Sequence, residues 1–467
     1  MNQISGGLVA DPARPRVLVV GHASGAHLFG GERSLLQLLE LFGDIGFDVV
    51  VALPPSENGE YLSAVIDRCT ELCLTAIPPR LPHQSVDEQV VATFASIITR
   101  HGVVAVHANT IVPREPLIAA RRCGVAAVVH AREIPAHDPE LSQWLQAAAG
   151  DLVASVLAEA DYVVANSLAT SRAYPLPGRV AIVPNFVDIH EFDRVDAHDA
   201  RAGSDAAPRV ALIGSTTEKK GVREFVDLAV LLATLTDARF VIVGPDSPLT
   251  QQLQAEGLPP NLHLAGYAHT PAAALRQADI VVNLSHCEES FGRSLMEAMA
   301  AGLPTVAFAR GALVELVAEG ETGWLVPPDD LSLLAHRVLQ LCRDPQLRSR
   351  MGAAGRRAMA QRFTRQHAAA ALRVAYHAIL PGEQARRQAA SDIVVRLPMA
   401  NRSHHLHQFF VGNRASFAHV SAAAPDRALW GGAASAPPPT SEVVARDVDD
   451  EVGAGACRAA ADHGHLA

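Results

Sequence analysis

Lysine is almost missing from this chain. Of its 39 basic residues only the adjacent Lys219 and Lys220 are lysines; the other 37 are arginines. Where lysine has been driven nearly out, a surviving pair invites a chemical reason. No run of about 18 uninterrupted apolar residues occurs, which argues against a transmembrane helix. The opening Met-Asn-Gln-Ile-Ser-Gly-Gly lacks the basic and apolar regions of a secretory signal. The six cysteines (Cys69, Cys73, Cys123, Cys287, Cys342, Cys457) form no zinc pattern, and Cys69-x3-Cys73 reads as part of a helix in which both pack. Clustered positive charge is absent too. Residues 1–200 carry 13 Arg against 23 Asp and Glu, a net of −10, and residues 201–380 carry 18 basic against 17 acidic groups, a net of +1. That balance argues against a nucleic-acid partner and weakens docking onto anionic lipid without excluding it. A cytoplasmic location is the expectation, with peripheral contact at the inner face of a membrane left open.

What is present is a long globular chain. Its 467 residues, 49% hydrophobic and 19% charged, suffice for about two to three domains with large cores. Short β-branched runs alternate with helical stretches. Strands are expected at 16–21, 48–53, 103–107, 127–131, 162–166 and 180–183, then at 209–214, 240–244, 262–266, 280–284 and 305–308. Most are continuously apolar, as in strands buried on both faces of a parallel sheet. Two such series predict two facing, doubly wound α/β domains with Rossmann-like topology. Their expected bounds are 1–190 and 209–363, joined by an Asp- and Ala-rich linker over 191–208. Residues 364–380 read as a final helix. Residues 381–467 lose periodicity and predict a largely disordered tail. Ligands of open α/β sheets bind beyond the carboxyl ends of the strands, so the cleft between the domains is the expected site.

One stretch stands out: Glu289-Ser-Phe-Gly-Arg-Ser-Leu-Met-Glu297-Ala-Met-Ala-Ala-Gly302-Leu-Pro304. It sets two carboxylates eight residues apart, with a Phe291-Gly292 turn between them and a short helix expected to begin near Ser294. A helix N-terminus offers unpaired N–H groups and positive potential to a phosphate, while ionised carboxylates accept from hydroxyls. Anion at the tip and polyol at the carboxylates together describe a nucleotide sugar. The bland alternative is a capping box, Ser294-x-x-Glu297, ended by Gly302 and Pro304. Capping explains neither Glu289 nor the Phe-Gly turn.

The stretch resembles the Glu-x7-Glu signature of retaining glycosyltransferases of family four (glycosyl transferases group 1), which have the GT-B fold. The resemblance covers about residues 16–380 and implies a final helix that returns to the first domain. It implies that Glu297 holds the donor ribose and that Glu289 orients the donor sugar with the backbone of Phe291, Gly292, Arg293, Ser294 and Leu295. Lys220-Gly221 fits the position of the family's diphosphate-binding lysine, but Ser215 stands where the family has arginine, with Lys219 or Arg293 as replacement cations. Gly30 and Gly31 fit, imperfectly, a glycine loop that borders the donor. His130 matches a histidine beside the transferred sugar and joins Lys220 and Glu289 as the expected catalytic group. Asn109, Arg132 and Glu133, at the ends of two expected strands, are candidates for the acceptor side, whereas Asn185 and Asp188 are expected to shape the domain edge.

The other large glycosyltransferase fold binds a divalent ion through Asp-x-Asp, which occurs here only as Asp447-Val-Asp449 in the tail. No metal and no cofactor are therefore expected. The expected function is transfer of a sugar from a nucleotide donor to a hydroxyl acceptor (a glycan, a lipid-linked acceptor or a small molecule), with retention. The rival readings are a non-catalytic nucleotide-sugar-binding or scaffold protein, motivated by Ser215, and a GT-B epimerase or phosphorylase.

Overall fold

Residues 2–22, 25, 27–193 and 207–380 are described by a computed structural model. The first half builds β1 (Asn2–Ser5), β2 (Arg16–Val20), β3 (Asp48–Leu53), β4 (Glu71–Leu74), β5 (Val103–Ala108), β6 (Ala126–Ala131), β7 (Tyr162–Ala165) and β8 (Val180–Ile182). They form one sheet in the order β1-β4-β3-β2-β5-β6-β7-β8. Every pairing is parallel except β1 with β4. The second half builds β9 (Arg209–Ile213), β10 (Arg239–Val243), β11 (Leu262–Gly266), β12 (Ile280–Asn283), β13 (Thr305–Phe308) and β14 (Trp324–Val326). Their order, β11-β10-β9-β12-β13-β14, is parallel throughout.

The apolar runs explain these sheets. In β2, Leu18 and Val20 enter the core on one face of the sheet, and Val17 and Val19 enter the core on the other. All four are fully buried. Burying one such side chain is worth about 1.5–3 kcal/mol, so a continuous run commits the strand to a sheet covered on both sides. β9 repeats the pattern, with Val210 and Leu212 on one face and Ala211 on the other.

All eleven strands expected from the apolar runs are present, each within a residue of its expected ends. Three further strands lack that signal. β1 is polar and mostly exposed, β4 has four residues, and β14 has three. β4 also corrects the reading of Cys69-x3-Cys73 as helical. The helix Gly59–Ile66 ends before Cys69, and the Thr70 N–H donates to Val49 O at 2.8 Å, drawing the chain into the sheet with Cys73 on β4. Both thiols are buried, but they pack at a helix exit and on a strand.

The halves exchange segments at their ends. Val187 and Phe192 pack in a core of the second sheet. The helix Arg365–Ile379, which follows the second sheet in sequence, places Ala368, Leu372, Ala375, Tyr376 and Ile379 in a core of the first. Of the expected linker over 191–208, residues 194–206 lie outside the described residues, as does the whole expected tail over 381–467. Among the described residues no helix is long and apolar enough to cross a membrane.

Candidate active site

Strand order reverses beside β2 and β5 in the first sheet and beside β9 and β12 in the second. At such points the loops leaving neighbouring strands diverge and open a crevice at their carboxyl ends. The residues following β5, β6 and β7 (Asn109, Arg132, Asn166) and those following β9 and β12 (Gly214, Ser215, Ser285, Glu289) line one cavity of about 530 Å³.

The second-sheet wall is charged. Lys220 ends a short 3-10 turn, Glu218–Lys220, which Gly221 closes at φ 74°. A Cβ on Gly221 would lie 2.2 Å from the Leu284 carbonyl oxygen, so glycine is required for that turn to reach the end of β12. Lys220 Nζ lies 2.5 Å from Glu289 Oε1, and the Ser285 hydroxyl donates to the same oxygen at 2.5 Å. Burial alone would raise the Glu289 carboxyl. The Lys220 charge, with hydrogen bonds from Lys220, Ser285 and Asn283, outweighs it and holds the group below the usual carboxylate range. Burial likewise acts to lower the Lys220 ammonium, and Glu289 outweighs it, so the lysine titrates above its ordinary value.

Five residues past Lys220's partner Glu289 the chain has already become helical. The helix Arg293–Ala300 starts from Gly292, at φ 85° and ψ 55°. A Cβ there would meet Leu313 Cδ2 at 2.4 Å, so only glycine turns the chain this sharply against the neighbouring helix. The Gly292 carbonyl accepts from the N–H groups of Leu295 and Met296, which leaves those of Arg293 and Ser294 in the open first turn, on two residues that line the cavity. Ser294 is therefore not the cap, and Glu297 does not fold back on the N-terminus as a capping box would require. Its carboxylate lies 3.3 Å from Arg293 and 3.9 Å from Arg33. Arg293 in turn donates to Gln37 Oε1 at 2.7 Å on the first helix of the chain, Gly30–Asp44.

The first-sheet wall is held mostly by neutral groups. The Arg132 guanidinium donates through Nε to both oxygens of Asn109, at 3.1 and 3.0 Å, and through Nη1 to Asn185 Oδ1 at 2.8 Å. Burial, then the neighbouring Arg293 charge, brings its pKa down to about 9. Glu133 accepts from the Thr110 hydroxyl at 2.5 Å and from the Ile111 N–H at 3.3 Å. His130 is 2% exposed and stands behind Arg132, its Nδ1 3.2 Å from His107 Nε2.

Gly30, Gly31, Asn109, Arg132, Glu133, Ser215, Lys220, Glu289, Phe291, Gly292, Arg293, Ser294 and Glu297 thus share the cavity. Phe291 contributes backbone, because its ring packs edge-on to Phe363 in the core. Leu295 is fully buried in that core and its amide is already bonded. Lys219 points away from the cavity: its ammonium lies 3.1 Å from Asp138 and 3.2 Å from Glu140 on the first half. Arg33, Asn166 and Tyr267 line the cavity without having been singled out by the sequence. Arg33 sits in the Gly30-Gly31-Glu32-Arg33 loop and Asn166 in the strand-end stretch Val164-Ala-Asn-Ser167, so both could have been found; nothing local marks Tyr267. Among the described residues one cluster has metal-ligand chemistry, Glu71, Cys73 and His101, and it lies away from the cavity.

Residues 30–191 match the family model described as Glycosyltransferase Family 4, and residues 196–358 that described as Glycosyl transferases group 1. The phosphatidyl-myo-inositol mannosyltransferase of Mycobacterium leprae is 30% identical over 260 residues, 50% of this chain and 68% of that protein. The N-acetyl-alpha-D-glucosaminyl L-malate synthase of Bacillus anthracis is 27% identical over 210 residues, 43% of this chain and about half, 54%, of that protein. Among solved structures, Anabaena HepE in complex with UDP and glucose superposes with a TM-score of 0.62 at 21% identity, over 76% of this chain and 97% of that one. At that identity the likeness is one of fold, GT-B.

Proposed function

The chain belongs to the glycosyl transferases group 1 family, and from that premise we propose that it is a retaining, metal-independent glycosyltransferase that moves a sugar from a nucleotide donor to a hydroxyl acceptor. One observation carries the reading. The Lys220–Glu289 pair, the open helix tip at Gly292 and the Glu297 carboxylate converge on a single cavity. The relatives are named for glycosyl transfer, and the Anabaena protein holds UDP and glucose.

Each group has a role that its chemistry suits. The Lys220 ammonium and the first-turn amides of Arg293 and Ser294 stabilise negative charge that grows on the departing diphosphate, an interaction strongest in the transition state. Glu297 accepts from the ribose hydroxyls. Glu289, kept ionised by Lys220, accepts from hydroxyls of the donor sugar together with the backbone after Phe291. His130, expected from the sequence beside the transferred sugar, is held behind Arg132 and is not among the residues that line the cavity, so no contact with the reacting carbon is assigned to it. The cation absent at Ser215 is supplied by Arg293: Lys219 is committed to Asp138 and Glu140, whereas Arg293 faces the cavity and is oriented by Gln37. Its guanidinium remains charged although burial lowers its pKa. Attack on the face that the leaving group vacates gives net retention. The pathway is the building of a glycan, polysaccharide or glycoconjugate.

The test is incubation with a panel of nucleotide sugars and hydroxyl acceptors, following free nucleotide and reading the product's anomeric configuration by NMR. Transfer with inversion, release of nucleotide only with added metal, or binding without turnover would each remove the corresponding part of the proposal.

A further inference from the structure

Away from the cavity, one group of side chains has chemistry that sugar transfer does not use. It lies where β4 meets the end of the helix Glu88–His101. Glu71 and Cys73 are two apart on β4 and so point to the same face of the sheet. Cys73 packs there in one core with Val91, Phe94 and Ile98 of the helix, and His101 is the last residue of that helix. One ligand atom from each of Glu71, Cys73 and His101 lies within 4.8 Å of the other two. Their spacing in the chain matches no metal motif, so only the fold brings them together.

The backbone holds all three in place. β4 is paired on both edges, with β1 and with β3. The His101 carbonyl accepts from Arg16 Nη1 at 3.1 Å, and Gly102, at φ 58°, closes the helix behind it. Gln3 stands opposite Cys73 in register on β1, and its side chain hydrogen-bonds the thiol.

The distances decide what the group can do. Glu71 Oε1 lies 3.4 Å from His101 Nε2 and 3.9 Å from Cys73 Sγ. A charge-assisted N–H···O bond would close to about 2.7–2.9 Å. His101 Nε2, although buried, makes no hydrogen bond among the described residues. Packing alone accounts for a buried thiol, but it leaves that nitrogen unexplained. A tetrahedral zinc, with bonds of about 2.3 Å to sulfur and about 2.0–2.2 Å to nitrogen and oxygen, sets N and O about 3.4 Å apart and S and O about 3.6 Å apart. The first spacing is the one observed, and a small shift of Glu71, whose side chain is 27% exposed, supplies the second. Sulfur, nitrogen and oxygen together suit zinc, whereas magnesium and calcium take oxygen ligands. A thiolate and a carboxylate also neutralise a divalent ion.

We propose that Glu71 Oε1, Cys73 Sγ and His101 Nε2 bind one zinc ion, with water in the fourth position, as a structural clip between β4 and the helix end. Binding replaces the thiol proton, released to solvent, by a sulfur–zinc bond, and Gln3 then donates to the thiolate. None of the three residues lines the cavity, so the clip acts on stability, and its loss leaves turnover of the folded protein unchanged. It is independent of the glycosyl-transfer reading, and either can fail without the other.

The experiment strips the reduced full chain with chelator. It is then titrated with zinc by calorimetry and with cobalt(II) by absorption, which reports thiolate ligation and tetrahedral geometry. Wild-type should bind one zinc at this site, show the thiolate–cobalt band, and gain Tm with zinc, because the ion binds the folded state. Cys73→Ala should abolish the band. Glu71→Gln and His101→Gln should weaken zinc binding by at least about 100-fold, beyond the loss expected for an outer-shell partner. Circular dichroism checks that each variant is folded. If Cys73→Ala were not, Glu71→Gln would still decide, since it keeps the shape of a partly exposed side chain. Absence of zinc binding by folded wild-type would overturn the proposal, as would equal affinity for magnesium. So would zinc binding and a cobalt band that persist in all three variants, which would put the ion on other cysteines or histidines of the chain.

Discussion

On the cavity wall built from β9 and β12, charge is set against charge: Lys220 against Glu289, and Arg293 with Arg33 against Glu297. On the wall built from β5 and β6 the polar groups are satisfied mainly by neutral partners, Arg132 by Asn109 and Asn185, His130 by His107. The difference matters for function. Ion pairs in a shielded site can act on charge that develops during a reaction, whereas a charged group held by neutral partners, as Arg132 is by Asn109 and Asn185, is fixed in orientation by directional hydrogen bonds. Loss of one member therefore has different signatures on the two walls. On the charged wall it leaves an unpaired ion and loses electrostatic stabilisation; on the neutral wall it leaves a wrongly directed donor.

The comparison breaks most easily at Lys220. Lys220→Ala should lower turnover by about 10²–10³, the effect of removing one preorganised electrostatic donor. Lys220→Arg should recover part of that loss, limited by the shape of the guanidinium. Near-normal kcat in Lys220→Ala would place the reaction's charge elsewhere and reverse the assignment of the two walls.

Next in size is Glu297→Ala. In the proposed role the carboxylate accepts from ribose hydroxyls in ground and transition states alike, so the substitution should weaken free-nucleotide binding by roughly tenfold, as measured by calorimetry on folded protein, and raise the donor KM. Unchanged affinity would leave Glu297 only as the partner of Arg293 and Arg33. A smaller effect is expected at Lys219, although it is the immediate neighbour of Lys220. Its pair with Asp138 and Glu140 is partly exposed, of the kind worth about 0–1 kcal/mol. Lys219→Ala should therefore change kcat only a few-fold.

The pH–rate profile sharpens the comparison without a mutation. Glu289 is held below the usual range, so the ion pair is lost only as pH falls through that lowered value. Lys220 is held above its own range, so the pair is lost on the alkaline side only as pH rises through the raised value. His107 and His130 stay neutral throughout. Neither ring should thus contribute a step to turnover between about pH 6 and 8, where an ordinary histidine would titrate. The smallest expected effect is that of EDTA, which should leave the rate unchanged under the proposal that Lys220, Arg293 and a helix tip do the work of an ion. A rate that collapses with chelator and returns with magnesium or manganese would overturn that arrangement.

These walls were unequally legible before the fold was known. Glu289, Glu297 and the Phe291-Gly292 turn are contiguous in sequence, and Lys220 stood out through the scarcity of lysine, so the charged wall could be read from spacing and chemistry. The neutral wall depends on segments that meet only in space. His107 is one histidine at a strand end, and nothing near Tyr376 announces a partner 269 residues away. Arg33 and Arg293 became members of one cluster only when the helix Gly30–Asp44 met the helix Arg293–Ala300. The fold shows the same limit. Continuous apolar runs revealed the buried strands, while β1, β4 and β14 are too short or too polar to carry a pattern, and the three-residue spacing of Cys69 and Cys73 imitated a helix.

The helix Arg365–Ile379 fills the core of a sheet whose last strand, β8, ends at Ile182. During synthesis the first half must therefore wait for residues made long after its own strands. His107 leaves the ribosome 269 residues ahead of Tyr376, roughly 15–50 s at about 5–20 residues per second. Over that interval the apolar face against which Leu372, Ala375 and Tyr376 later pack is uncovered, and the nascent protein is exposed to aggregation through it. The same delay orders assembly: the charged wall can form as soon as its own sheet folds, but the histidine wall is completed only when the last described helix docks.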